Sequence, residues 1–143
     1  MEDHSCILIV EDEPLVAEGL REVMDELDLG TCQVAQSVDE AVRTALKHNP
    51  LLIIMDLQLR GIGDGVDAAI EIHNHLDCPI IFTTGNTAPS ALLRIFDDRP
   101  SSILKKPYSV VELKQALRLA LRQAAEANDD RTAEIRPQEP TGE

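Results

Sequence analysis

Leu51-Leu52-Ile53-Ile54-Met55-Asp56 is the stretch whose reading decides the fold. Five consecutive apolar residues flanked by Asn49-Pro50 and a glycine-rich segment read as a short strand buried on both faces. An acid placed directly at the end of such a strand needs an explanation. Working outward, Cys6-Ile7-Leu8-Ile9-Val10 repeats the pattern and ends in Glu11-Asp12. Pro79-Ile80-Ile81-Phe82-Thr83 and Ser102-Ile103-Leu104 are further strands, and Cys32 to Ala35 is the weakest.

Helical patterns fill the intervals. Pro14 suits the first position of a helix, with Leu15, Val16, Leu20, Val23, Met24 and Leu27 at helical spacing and Gly30 as a stop. Val38 to His48 carries Ala41, Val42, Ala45 and Leu46 inward and ends at Asn49-Pro50. Leu57 to Gly65, with three glycines, is a loop. Val66 to Leu76 is helical with Val66, Ala69, Ile70 and His73 on one stripe, and Thr87 to Phe96 is a short helix. Ser109-Val110-Val111-Glu112 fits a capping box that opens the last helix, whose stripe is Leu113, Ala116, Leu117, Ala120, Leu121 and Ala124. Five βα repeats imply an α/β, doubly wound parallel sheet with helices on both faces.

The 143 residues are one domain's worth of chain. Folding should bury roughly 68–70% of the unfolded surface, enough for a core without staples. Residues 1–127 are expected to form the domain, and the polar, proline-containing residues 128–143 an acidic disordered tail. Thirteen basic against 26 acidic residues give a net charge of −13, which argues against nucleic acid and anionic membrane as partners. The apolar run Pro50 to Met55 is too short to span a bilayer, and Glu2 and Asp3 stand where a signal peptide needs basic residues. Cys6, Cys32 and Cys78 form no CxxC and read as buried free thiols of a cytoplasmic protein.

In a parallel sheet, function gathers at the carboxyl ends of the strands. Those ends deliver Glu11-Asp12, Asp56, Thr83-Thr84 and Lys105-Lys106. Clustered carboxylates repel, and an oxygen-only set of two or three acids suits Mg²⁺. Asp56 could act as a nucleophile and form an acyl phosphate. Lys106 could pair with a phosphoryl oxygen, and Thr84 could donate a hydrogen bond to another. Singly, each has a plainer use: Glu11 and Asp12 suit a helix N-terminus, Asp56 a loop cap, Thr84 a strand end and Lys106 a solvated surface. The coincidence at four strand ends favours the chemical reading.

With these residues in view, the sequence resembles the receiver domain of bacterial two-component response regulators over residues 6–125. The matching segments are Ile7-Leu8-Ile9-Val10-Glu11-Asp12-Glu13, Ile53-Ile54-Met55-Asp56-Leu57, Ile81-Phe82-Thr83-Thr84-Gly85 and Leu104-Lys105-Lys106-Pro107-Tyr108. Asp12 and Asp56 are 44 residues apart, Asp56 and Thr84 28, and Thr84 and Lys106 22, which are ordinary receiver intervals. The resemblance implies a flavodoxin-like (βα)5 fold with strand order 2-1-3-4-5. It implies that Asp56 accepts a phosphoryl group from a sensor histidine kinase. Asp12 and Asp56 would hold Mg²⁺ with the Gln58 carbonyl, and Glu11 would act through a metal-bound water. Thr84 and Lys106 would engage the phosphoryl group, and Lys106-Pro107 would be a cis peptide.

There are departures. Ile103 stands where many receivers carry a switching aromatic, and Gly85 where a small residue is usual. Phe82-Thr83-Thr84-Gly85 is similar to the Phe-Ala-Thr-Gly motif of stand-alone alphaproteobacterial receivers, although Asn86 differs from their following residue. That subgroup implies HWE-type or related kinases in stress or light signalling. The expected function is a non-enzymatic, single-domain response regulator, monomeric or weakly dimeric. It would act through protein contacts, including other response regulators or phosphotransfer proteins, or as a phosphate sink. Two alternatives are weighed. A never-phosphorylated pseudo-receiver would not need Asp12, Asp56, Thr84 and Lys106 together. A haloacid-dehalogenase-like phosphatase needs a second Asp two residues after the nucleophile, where this chain has Gln58, and normally carries its nucleophile on the first strand.

Overall fold

The computed structural model describes residues 6–85 and 102–135. Five strands, β1 (Cys6–Val10), β2 (Thr31–Ala35), β3 (Leu52–Asp56), β4 (Ile80–Thr84) and β5 (Ser102–Lys105), form one parallel sheet in the order β2-β1-β3-β4-β5. Every residue of β1, β3 and β4 is buried, the outcome expected of continuous apolar runs covered on both faces.

Helices α1 (Pro14–Glu26), α2 (Val38–His48), α3 (Gly65–His73) and α4 (Val110–Ile135) are the four among the described residues. The helix expected at Thr87–Phe96 lies outside them. Strand alternation divides the core in two. Leu8, Val10, Ile53, Met55 and Phe82 meet Ala41 and Ala45 of α2 and Val66, Ala69 and Ile72 of α3. Ile7, Ile9, Leu52, Ile54 and Ile81 meet Ala17, Leu20 and Met24 of α1 and Leu113, Leu117 and Ala120 of α4.

Local chemistry sets the helix ends. Pro14 opens α1. Ser37 caps α2 by accepting the Glu40 N–H at 3.2 Å, and Asn49, left-handed at φ 49°, ends it. The Ser109 hydroxyl accepts the Glu112 N–H at 3.0 Å, and the Glu112 carboxylate accepts the Ser109 N–H at 2.8 Å, so the expected capping box opens α4. α3 has its own box between Asp64 and Asp67, which displaces its start to Gly65.

Four readings of the helices change. Leu46 of α2, expected inward, is 43% exposed, and only Ala41 and Ala45 of that helix are buried. Leu15 is 85% exposed and Ala17 takes the inward place on α1. In α3, Ala68 and Ile72 are buried while Ile70 is 38% exposed, so the apolar stripe is turned relative to Val66, Ala69, Ile70 and His73. The His73 ring bonds the Cys78 carbonyl at 2.8 Å rather than packing as an apolar group. α4 continues to Ile135, through part of the segment read as a tail from residue 128. Its Ala, Glu and Arg residues are good helix formers, and no glycine or proline interrupts them before Pro137. Residues 136–143 lie outside the described region.

Cys6 and Cys78 are buried thiols outside any disulfide, and Cys32 is half-buried on the edge strand. Cys78 approaches the Pro50 carbonyl at 3.3 Å, and burial pushes its thiol up to about 12. A raised thiol value favours the folded state fully below the ordinary value of 9.0, and that contribution is lost as pH climbs from there towards 12. The stability advantage of wild type over Cys78→Ala should therefore shrink by about 1.4 kcal/mol between pH 8 and pH 10. Denaturant unfolding of both proteins at the two pH values measures it; a constant difference refutes it.

Candidate functional site

The strand order reverses beside β1, so the crevice between the carboxyl ends of β1 and β3 is the switch point of the sheet. Glu11 and Asp12 leave β1 on one side and Asp56 ends β3 on the other. Ladder bonds continue past the strand ends and hold these residues. The Glu11 N–H donates to the Ala35 carbonyl at 2.9 Å, the Leu57 N–H to Thr83 at 2.9 Å and the Lys106 N–H to Thr84 at 2.7 Å.

One carboxylate oxygen from each of Glu11, Asp12 and Asp56 lies within 4.8 Å of the others. Glu11 and Asp56 are buried, at 2% and 4% exposure, and Asp12 is half-buried. The Lys106 ammonium reaches in from the end of β5, 3.1 Å from Asp56 Oδ2 and 3.5 Å from Glu11 Oε1. The Gln58 N–H donates to Asp56 Oδ1 at 3.1 Å, and the Glu13 N–H to Glu11 Oε2 at 3.1 Å. Both buried acids are thus oriented by a backbone donor on one oxygen and share the lysine on the other.

The electrostatics follow from burial and crowding. Burial raises the Glu11 carboxyl above the usual range, the Asp56 charge raises it further, and Lys106 and the Glu13 N–H oppose both. Burial pulls Lys106 down, but its hydrogen bond to Asp56 and the charges of Asp56 and Glu11 outweigh it, so the ammonium is held above its ordinary value. Glu11 and Asp56 share one lysine and, among the described residues, Asp12 meets only the exposed Arg60 guanidinium as a cation, which leaves an excess of negative charge in the crevice. Such a site gains from a hard divalent cation, and the all-oxygen donor set fits Mg²⁺.

Thr84 closes β4 and is buried, as is Thr83 before it. Lys105 is exposed, so of the two lysines only Lys106 enters the site. The peptide Lys106-Pro107 is cis. Ile103 is half-buried against the core that holds Phe82. Residues 86–101, which follow Gly85, lie outside the described region.

Two participants were not evident from local pattern. Arg60 donates its N–H to Asp12 Oδ2 at 3.0 Å, and its guanidinium lies 3.4 Å from the same oxygen and 3.8 Å from Glu13. Gly65 is the second. Its N–H donates to the Leu57 carbonyl at 2.9 Å, and a Cβ there would collide with the Asp56 carbonyl oxygen. The glycine lets α3 start directly under the end of β3.

A family model described as the response regulator receiver domain matches residues 7–118. The chain is 35% identical over 115 residues to the transcriptional regulatory protein PdtaR of Mycobacterium tuberculosis, covering 80% of this chain and 56% of that protein. It is 32% identical over 116 residues to the phyllosphere-induced regulator PhyR of Methylorubrum extorquens, covering 80% and 43%. The chain thus spans about half the length of these relatives. Among solved structures, the signal receiver domain of a modulated diguanylate cyclase from Desulfovibrio desulfuricans G20 superimposes with a TM-score of 0.77 at 30% identity, covering 87% of this chain and 99% of that one. A CheY-like receiver from Methanospirillum hungatei JF-1 shares the fold, with a TM-score of 0.79 at 16% identity and coverage of 87% and 99%. No helix among the described residues is long and apolar enough to cross a membrane. With its sheet order, its acidic crevice and these matches, the chain belongs to the response regulator receiver domain family.

Proposed function

We propose that this receiver domain accepts a phosphoryl group on Asp56 from a sensor histidine kinase and signals through protein contacts or drains phosphate from its kinase. The observation that carries this reading is the buried Asp56 carboxylate, with Lys106 Nζ 3.1 Å from one oxygen and the Gln58 N–H 3.1 Å from the other. Both donors fix the orientation of the carboxylate, as a nucleophile requires.

Asp56 attacks the phosphorus of the kinase's phosphohistidine. The P–O bond forms as the P–N bond breaks, and the electron pair returns to the imidazole nitrogen, leaving an acyl phosphate on Asp56. Lys106 turns from the carboxylate to the phosphoryl oxygens, and the Thr84 hydroxyl donates to another of them. Asp12 and Asp56, with the Gln58 carbonyl, would hold Mg²⁺ directly, and Glu11 would contact it through water. When bound, the ion offsets the charge of the carboxylates and of the incoming phosphoryl group. The likeness of Phe82-Thr83-Thr84-Gly85 to the Phe-Ala-Thr-Gly motif of stand-alone receivers supports a part in stress or light signalling, with a kinase of HWE or related type as partner. The net charge of −13 supports protein partners over nucleic acid.

Incubation with a small phosphodonor such as acetyl phosphate and millimolar Mg²⁺ tests the reading. Acid-stable, alkali-labile labelling that EDTA suppresses is expected; no labelling overturns it. The carboxylate cluster also predicts a metal effect on stability. At Mg²⁺ about 100-fold above Kd, the folded state should gain roughly 2.7 kcal/mol. Asp12→Ala should lose most of that gain. Its metal-free stability should be unchanged or slightly raised, because relief of repulsion offsets loss of the Arg60 contacts. Thermal melts with and without Mg²⁺ decide it, and a wild-type melting temperature indifferent to the ion counts against the site.

A further inference from the structure

Arg60 lies in the loop between β3 and α3, four residues after Asp56 and 48 after Asp12, yet it meets Asp12 twice. Its backbone N–H and its Nε both point to Oδ2, at 3.0 and 3.4 Å. Its Nη2 lies 3.8 Å from Glu13 Oε2, so the guanidinium bridges two acids of the β1–α1 loop. The two contacts differ in how easily they can be given up. The N–H is tied to the loop backbone, whereas the side chain is 74% exposed and borders an open cleft of ≈ 850 Å³ against α2, with Val38, Val42 and Ile62 on its walls. The guanidinium therefore has somewhere to go.

Asp12 Oδ2 belongs to the carboxylate cluster read above as a cation site, and this inference rests on that reading. A divalent cation beside Asp12 would stand within a few ångströms of a guanidinium of the same sign. Both cannot keep their best geometry on one carboxylate. We propose that Arg60 is a positioning residue that holds Asp12 in the metal-free protein and is displaced when a divalent cation takes that carboxylate, so that it lowers cation affinity. Coupling of this kind is reciprocal: whatever the arginine costs the cation, the cation costs the arginine's hold on the β1–α1 loop. Occupancy of the acidic crevice is thereby transmitted to the rim of the cleft between α2 and the β3–α3 loop, without movement of the sheet.

The test is calorimetric titration of the full chain with Mg²⁺, in wild type and in Arg60→Gln, Arg60→Lys and Arg122→Gln. Arg60→Gln should tighten Kd roughly two- to fivefold, the range an exposed ion pair can supply. Added KCl should shrink that difference, because salt screens the exposed guanidinium. Arg60→Lys retains the charge and should stay nearer wild type. Arg122→Gln removes an equal charge from the exposed surface of α4, three turns beyond its start, and should change nothing. Kd for Arg60→Gln equal to or weaker than wild type overturns the proposal. So does equal tightening in Arg122→Gln or in Arg60→Lys, since the cause would then be net charge or loop packing. A wild type that binds no Mg²⁺ overturns the cation reading and this inference together. A wild type that binds Mg²⁺ with the same Kd as Arg60→Gln overturns this inference alone.

Discussion

Asp56→Asn should reduce phosphodonor labelling to background while leaving the fold intact. The replacement is nearly isosteric, and its side-chain oxygen can still accept the Gln58 N–H that now bonds Oδ1. What disappears is the carboxylate oxygen that faces Lys106 at 3.1 Å. The neighbouring acids are poor substitutes. Glu11 is held above the usual carboxylate range chiefly by burial, which the variant keeps, and its Oε2 is engaged by the Glu13 N–H. Asp12 Oδ2 is engaged by the Arg60 N–H and guanidinium. Intact-mass measurement after phosphodonor treatment reads the result. Labelling of the variant at the wild-type level would assign the chemistry to another carboxylate.

Gly65→Ala should be among the most destabilising single methyl additions in the chain. The added Cβ would overlap the Asp56 carbonyl oxygen and press on the Leu57 Cα and Met55 Cγ, each 3.0 Å away. Backbone atoms cannot yield as a flexible side-chain end does. The strain can be relieved only by moving the start of α3 away from β3, which breaks the Gly65-to-Leu57 hydrogen bond and loosens Val66, Ala69 and Ile72 in the core. Overpacking of this kind typically costs about 1–3 kcal/mol and occasionally more, and a backbone clash belongs at the upper end. The same shift moves the Leu57–Gln58 backbone that orients Asp56, so labelling should slow as well. Gly85→Ala is the control, because a Cβ at Gly85 meets nothing within 4 Å among the described residues. Urea unfolding of both variants tests this, and a Gly65→Ala protein as stable as Gly85→Ala would show that the helix start can move freely.

These expectations differ in how far local sequence could have supported them. Asp56 was visible because an acid directly after Leu52-Ile53-Ile54-Met55 contradicts the burial of its own strand. Two adjacent lysines carry the same local signal, and what separates Lys106 from Lys105 is the fold: alternation in β5 turns Lys105 to solvent. Gly65 looked like one of three loop glycines, and nothing nearby marks it as the one beneath a carbonyl oxygen. Arg60 was a lone loop arginine whose partners lie 47 and 48 residues earlier.

Periodicity and local chemistry were sufficient for the strands, three helix starts and the carboxyl-end placement of the acids. Each depends on a few neighbouring residues: apolar runs of five, Pro14 at a first turn, the apolar spacing that begins at Val38, and Ser109 with Glu112. The facing of α1 and α3 was not available in that way. Leu15 and Ile70 are as apolar as their neighbours, and only the packed sheet decides that Ala17, Ala68 and Ile72 take the inner positions. Distances within the acidic crevice were likewise beyond local reading. They exist because β1, β3 and β5 are brought to one edge of a twisted sheet, where charges distant in sequence meet in a recess that solvent screens weakly.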